Sequence, residues 1–197
     1  TLGALGGGGA GGSSGLRLTG DYPGTNTITY TLSASAVNYA GMITLDSAGD
    51  DSVVLAAALP GYLGSPSLAG TGRLSVNAGA GTFRLDGGRS VSPGTSAGTL
   101  DISGGFAFGG GSTYNVEFDT LTQTIDLLNV TGQLSADGTW TLQPSVLGGS
   151  GVGPGTYRIA TAAGGIDPAL LSLMVFRRGS TPFHWVEQIG SSLYLAI

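Results

Sequence analysis

Arg89-Ser-Val-Ser-Pro-Gly-Thr-Ser-Ala-Gly-Thr-Leu-Asp-Ile-Ser103 decides how this chain reads. A Pro-Gly turn at 93–94 leads to a second turn at Ala97-Gly98. A short alternating strand follows, with Leu100 and Ile102 as its apolar members. Strand, tight turn, strand, almost free of charge, recurs along most of the sequence. A backbone with that rhythm coils into flat stacked rungs and does not fold around helices.

Working outward, the N-terminal residues 1–15 are a run of Gly, Ala and Ser after Thr-Leu-Gly-Ala-Leu, and read as a linker or loose terminal pass. Strand signals begin at Leu16. Thr25-Asn-Thr-Ile-Thr-Tyr-Thr-Leu32 places Ile28, Tyr30 and Leu32 on one face and threonines on the other. Further passes are predicted at 37–45, 52–59, 73–77, 82–86, 99–103, 106–108, 114–118, 126–130, 139–142 and 157–161, with 61–70 rich in turns. Leu74, Val76, Phe83 and Leu85 should point inward. At about twenty residues per coil and ~4.8 Å between strands, the body would be roughly 40–50 Å long. Alternation leaves each strand one wet face, unlike the continuous apolar runs of a doubly wound parallel sheet. The one helical signal is Asp167 to Met174, where Asp167 can cap and Pro168 can open the first turn.

The predicted fold is all-β, a right-handed parallel β-helix over 16–174 closed by a C-terminal cap over 175–197. That last segment gathers Arg177, Arg178, His184, Phe176, Phe183 and Trp185, and an open solenoid end needs such an aromatic cover.

Composition narrows the function. The 197 residues suit one domain or two closely joined ones, and glycine, at 38 residues, lacks the three-residue period of collagen. Apolar residues spread throughout and a net charge of −5 argue against disorder. All seven basic residues are scattered arginines against twelve acids, so a nucleic-acid partner is not expected. No apolar run approaches a spanning helix, and membrane insertion is not expected either. Without cysteine there are no disulfides, thiolate metal sites or cysteine nucleophiles, a composition that also suits bacterial secretion. The chain begins at Thr1 without methionine or a signal segment, and a processed or excised piece of a longer precursor is expected.

Val91-Ser-Pro-Gly-Thr-Ser-Ala-Gly-Thr-Leu100, Gly111-Ser-Thr-Tyr-Asn-Val-Glu-Phe-Asp119, Asp126-Leu-Leu-Asn-Val-Thr-Gly132 and Gly153-Pro-Gly-Thr-Tyr-Arg-Ile-Ala160 follow one another in an order with a family likeness. Turn, strand, "D-x-L-x-V-x-G" strand and "G-x-Y-x-I" strand resemble the passenger regions of bacterial autotransporters and the surface proteins with autotransporter-associated β-strand repeats. Leu128 departs from the pattern as an extra residue and is expected to bulge its strand. The resemblance covers about 74–165. It implies a parallel β-helix at the cell surface or outside a bacterium, usually without an enzymatic role for the repeats.

Several motifs invite sharper readings. Gly94-Thr-Ser-Ala-Gly98 matches the G-x-S-x-G nucleophile elbow, with Asp101, Asp119, Asp126 and His184 downstream in hydrolase order. A strand follows it where the elbow needs a helix, and Gly11–Gly15 matches too, so a turn is the better reading. Gly7–Gly12 fits G-x-G-x-x-G without the flanking elements, and a phosphate loop lacks its lysine. Glu117 and Asp119 share a strand face, with Asp126 nearby, as in glycosidases, but Val116 and Phe118 point the other way and a solvated outer face is the better reading. Asp46, Asp50 and Asp51 match no known calcium-loop spacing. The threonine row at 25, 27, 29 and 31 lacks the stacked copies an ice-binding face needs. Asn129-Val-Thr131 is a sequon within a strand, and His184 has no second ligand to complete a metal site.

No catalytic, cofactor or metal residues are therefore assigned. The reading is a non-enzymatic structural or adhesive module, with a self-assembling fibre subunit and a polysaccharide-active β-helix as alternatives. Its expected partners are its own copies, head to tail or lateral, or surface glycans and proteins.

Overall fold

The computed structural model describes residues 15–20, 25–32, 39, 41–47, 52–58, 66–94, 96–148 and 151–197. The Gly-rich segment before Gly15, Asp50, Asp51 and the turn at 61–65 lie outside these residues.

The chain opens with two two-strand passes, β1 (Gly15–Gly20) with β2 (Thr27–Leu32), and β3 (Met42–Ser47) with β4 (Ser52–Ala57). Three-strand passes follow: β5 (Ser67–Gly70), β6 (Arg73–Val76) and β7 (Thr82–Leu85), then β8 (Ser90–Pro93), β9 (Thr99–Ser103) and β10 (Gly105–Phe108). The next pass is β11 (Thr113–Asp119), the short β12 (Thr124–Ile125), β13 (Leu127–Val130) and β14 (Leu134–Ala136). The last begins with β15 (Trp140–Leu147) and β16 (Thr156–Ala162) and carries α1 (Ala169–Ser172) on its third side. β17 (Met174–Phe176), β18 (Trp185–Ile189) and β19 (Ser192–Ala196) end the chain.

These strands stack into three sheets. Sheet 1 runs β1-β3-β5-β8-β11-β15-β17, sheet 2 runs β2-β4-β6-β9-β13-β16-β19-β18, and sheet 3 holds β7, β10 and β14. Sheet 1 is parallel along that path, and sheet 2 is parallel until β19 and β18 turn antiparallel over β16. The described residues thus form an all-β parallel solenoid of about four full turns, preceded by the two two-strand passes. Its crossovers are of the kind for which the right-handed path is the rule. Among the described residues no helix is long and apolar enough to cross a membrane.

The coil is longer than twenty residues. Thr113 lies opposite Thr141 in sheet 1, Asp101 opposite Asn129 in sheet 2 and Ala107 opposite Ser135 in sheet 3, so one offset of 28 residues links all three sheets. Earlier passes are shorter, with an offset of 23 at Ser92 and Asn115, and a later one reaches 32 at Asn129 and Thr161. Sheet 1 climbs six strand steps, roughly 29 Å at ~4.8 Å each. The body is shorter than the expected 40–50 Å because each coil spends more residues going round.

Alternation sorts the side chains as period 2 requires. Leu100 and Ile102, Val116 and Phe118, and Leu74 and Val76 are all fully buried, while the residues between them face outward. Aromatic rings fill the column. Phe83 packs against Phe106 of the next pass with centroids 5.7 Å apart, Phe106 lies 5.0 Å from Phe108 on the same strand, and Phe108 stacks on Trp140 at 4.2 Å. The Trp140 indole N–H donates to the Leu170 carbonyl at 2.9 Å, and the Tyr114 hydroxyl to that of Ile159 at 2.5 Å, so the polar tips of both rings are satisfied.

Close backbone approach explains the glycines at one corner. The N–H of Gly132 donates to Gly104 O at 2.7 Å, and that of Gly164 to Gly132 O at 2.9 Å. A Cβ on Gly132 would lie 2.7 Å from the Gly104 carbonyl carbon, and one on Gly164 2.5 Å from that of Gly132. Glycine is required wherever passes stack at this corner.

Three expectations need correcting. The turn-rich stretch contains β5, whose Leu68 is fully buried. Leu128 does not bulge its strand: residues 127–130 pair one for one with 99–102, and Leu128 is an ordinary core residue. The register instead slips in β16, between Arg158 and Ala160. The helix is a single turn, Ala169–Ser172, with the Asp167 carboxylate accepting the Ala169 N–H at 2.8 Å. In the terminal segment Phe183 is buried against Phe118 and Tyr157, but β17 still continues sheet 1 in parallel.

Candidate functional site

Asp126 sits just before β13 and is fully buried. Its Oδ1 accepts the Gly98 N–H and its Oδ2 the Glu117 N–H, both at 2.9 Å. Burial pushes its pKa up to about 7; the two N–H donors pull the other way, and nearby Glu117 adds to the rise. Gly94 holds φ +85°, and a Cβ there would come within 2.9 Å of Asp126 Oδ1. The carboxylate therefore ties Gly98 of one coil to β11 of the next.

That geometry disposes of the elbow. The strand β9 follows Gly98, Asp126 is occupied by backbone amides, and His184 lies in the terminal segment, where Arg178 Nη1 donates to its Nδ1 at 2.8 Å. The acidic trio also separates. Asp119 Oδ1 accepts the Leu121 N–H at 2.8 Å, which lowers its pKa and shapes the turn after β11. Glu117 faces a cavity. That space, about 380 Å³, is lined by Ser92, Gly94, Asn115, Glu117, Gln143 and Ser145 on the outer face of sheet 1.

A larger cavity of about 760 Å³ adjoins it and shares Gln143 and Ser145. It exists because β17 stops at Phe176 while β15 runs on. β17 pairs only with residues 140–142 of β15, so 143–147 keep a neighbour on the β11 side alone. Pro144 sits in this half-free stretch, where a missing N–H does no harm. The chain leaves β17 through Arg177-Arg178-Gly-Ser-Thr-Pro182 and walls the gap against Gln143–Val146. Both arginines line it, no carboxylate does, and the ion pairs among the described residues use Arg17, Arg73 and Arg84.

Other marked residues have plainer roles. Asp46 pairs with Arg17 across neighbouring coils. Asn129 donates to Asp101 at 2.7 Å and accepts from Thr161 at 2.5 Å, so its amide belongs to a row across sheet 2 that Arg73 extends toward Asp101 at 3.7 Å. Thr25, Thr27, Thr29 and Thr31 are exposed. Among the described residues, no group of three or more His, Asp or Glu could hold a metal ion.

No family model matches this chain, and no curated protein does. The arginine-lined trough was not legible as a site in the sequence. The Arg177-Arg178 pair is visible there, but its meeting with Gln143 and Ser145 depends on where β17 breaks off.

Proposed function

We propose that the chain is a non-enzymatic structural or adhesive module of a secreted or cell-surface bacterial protein, as its resemblance to autotransporter passengers implies. One observation carries this reading: side chains recur in register up the outer faces, as in the row Arg73, Asp101, Asn129 and Thr161 across sheet 2. Such rows present fixed contact groups at the strand spacing, while the ladders inside satisfy the backbone. The polysaccharide-active alternative is weaker, since Asp126 and Asp119 are held by backbone amides while Glu117 lines a cavity without them. The head-to-tail fibre is weaker too, because β18 and β19 end the parallel ladder of sheet 2.

The test is retention under flow. Beads coated with the chain should hold to bacterial or host-cell surfaces better than beads coated with a protein of equal net charge, and the chain should release no fragments from soluble polysaccharides. Retention equal to the control, or steady release of fragments, would refute the reading.

A further inference from the structure

We infer that the trough on sheet 1 binds an oligosaccharide carrying a carboxylate at one end and neutral sugars along the rest. This rests on the adhesive reading and names the ligand class for it. At the acidic end of the ligand, Arg177 and Arg178 line the 760 Å³ cavity with no carboxylate among its walls. A guanidinium meets a carboxylate through paired N–H donors, and two of them in an otherwise acidic chain mark a place for an anion.

The adjoining 380 Å³ cavity sets the rest of the ligand. Its walls offer hydroxyls and amides from Ser92, Asn115, Gln143 and Ser145, groups that both donate and accept and so suit sugar hydroxyls. Glu117 is the one charged group there, and it accepts hydroxyl donors but repels a second carboxylate. A uniform polyanion is thus disfavoured at one half of the trough and a neutral glycan gains nothing at the other. Beside the arginines, His184 takes the Arg178 bond and stacks on Trp185 with centroids 6.4 Å apart. Trp185 lies outside both cavity walls and is 49% exposed, which leaves its ring open to a pyranose that extends past the arginines.

Titration calorimetry would compare three tetrasaccharides: one glucuronate with three glucose units (the acid at either end), four glucose units, and four glucuronate units. The mixed sugar, in one polarity, should bind at least tenfold more tightly than either uniform one. Arg177→Gln with Arg178→Gln should abolish that advantage, and Glu117→Gln should raise the affinity of tetraglucuronate severalfold. Both sets of side chains are on the surface, and an unchanged thermal melt would show each variant folded. Equal binding of the three sugars, no binding of the mixed one, or an unchanged affinity in the arginine variant would overturn the inference. Beads that are retained under flow although no sugar binds would remove this ligand and leave the adhesive reading standing.

Discussion

Asp126 is a residue whose chemistry departs from what its type suggests. Between its ordinary value of 3.8 and about 7, the folded chain keeps a proton on this carboxyl that the unfolded chain has released. The folded state then binds more protons, so stability falls as pH rises through that window, by up to ~1.4 kcal/mol per unit, and levels off above it. Asp126→Asn should remove this slope. Urea unfolding of both chains from pH 4 to 8 measures it, and parallel stability curves would show that the carboxyl stays charged throughout. Glycine offers a second test at this scale. Gly132→Ala drives a Cβ into the Gly104 backbone and should cost ~1–3 kcal/mol, whereas Gly151→Ala, with open space around it, should stay within about 0.5 kcal/mol. Equal melting temperatures for the two variants would contradict the stacked corner. Sequence alone placed Asp126 near Glu117 but not inside the protein, because one of its two partners, the Gly98 N–H, comes from 28 residues earlier.

At the scale of the element, alternation was readable wherever it was strong. Residues 99–103 were predicted as the strand that β9 is, with Leu100 and Ile102 inward. Strands with few apolar residues were not readable. β5 and β8 carry one or two apolar residues between turn formers, and their pairing with neighbouring coils makes them strands. β15 was expected to stop at Leu142, before Pro144; it continues because β11 pairs with it on the side where no proline N–H is needed. The terminal segment shows the same dependence on context. Phe183 packs into a ring cluster with Phe118 and Tyr157 that only the closed coil creates. Phe183→Ala should cost ~3–5 kcal/mol, as for a large ring lost from a core. Chemical denaturation measures this, and a loss under 1 kcal/mol would mean that the segment does not seal the column.

For the whole molecule, fold class and chain path were legible because a solenoid repeats its signal, but the coil length was not. The third side is the reason. β7 and β10 were readable on that side, but β14 is only Leu134–Ala136, one buried leucine among polar and small residues, so the third strand of its pass does not show in the sequence. The same geometry places the trough: the last coil ends with a strand shorter than the one it follows, and a gap lined by side chains from two passes opens at the step. All of this depends on one parallel register shared by the three sheets. Since the chain has no cysteine, introduced pairs report that register without interference. Neighbours in a parallel ladder lie ~4.8 Å apart, within the ~4.4–6.8 Å Cα separation a disulfide accepts. Thr113→Cys with Thr141→Cys, Asp101→Cys with Asn129→Cys, and Ala107→Cys with Ser135→Cys should each close a disulfide on mild oxidation, measured by mass spectrometry of peptides, while Thr113→Cys with Gln143→Cys should not. Closure of the offset pair in preference to the three matched ones would contradict the stacked 28-residue coil.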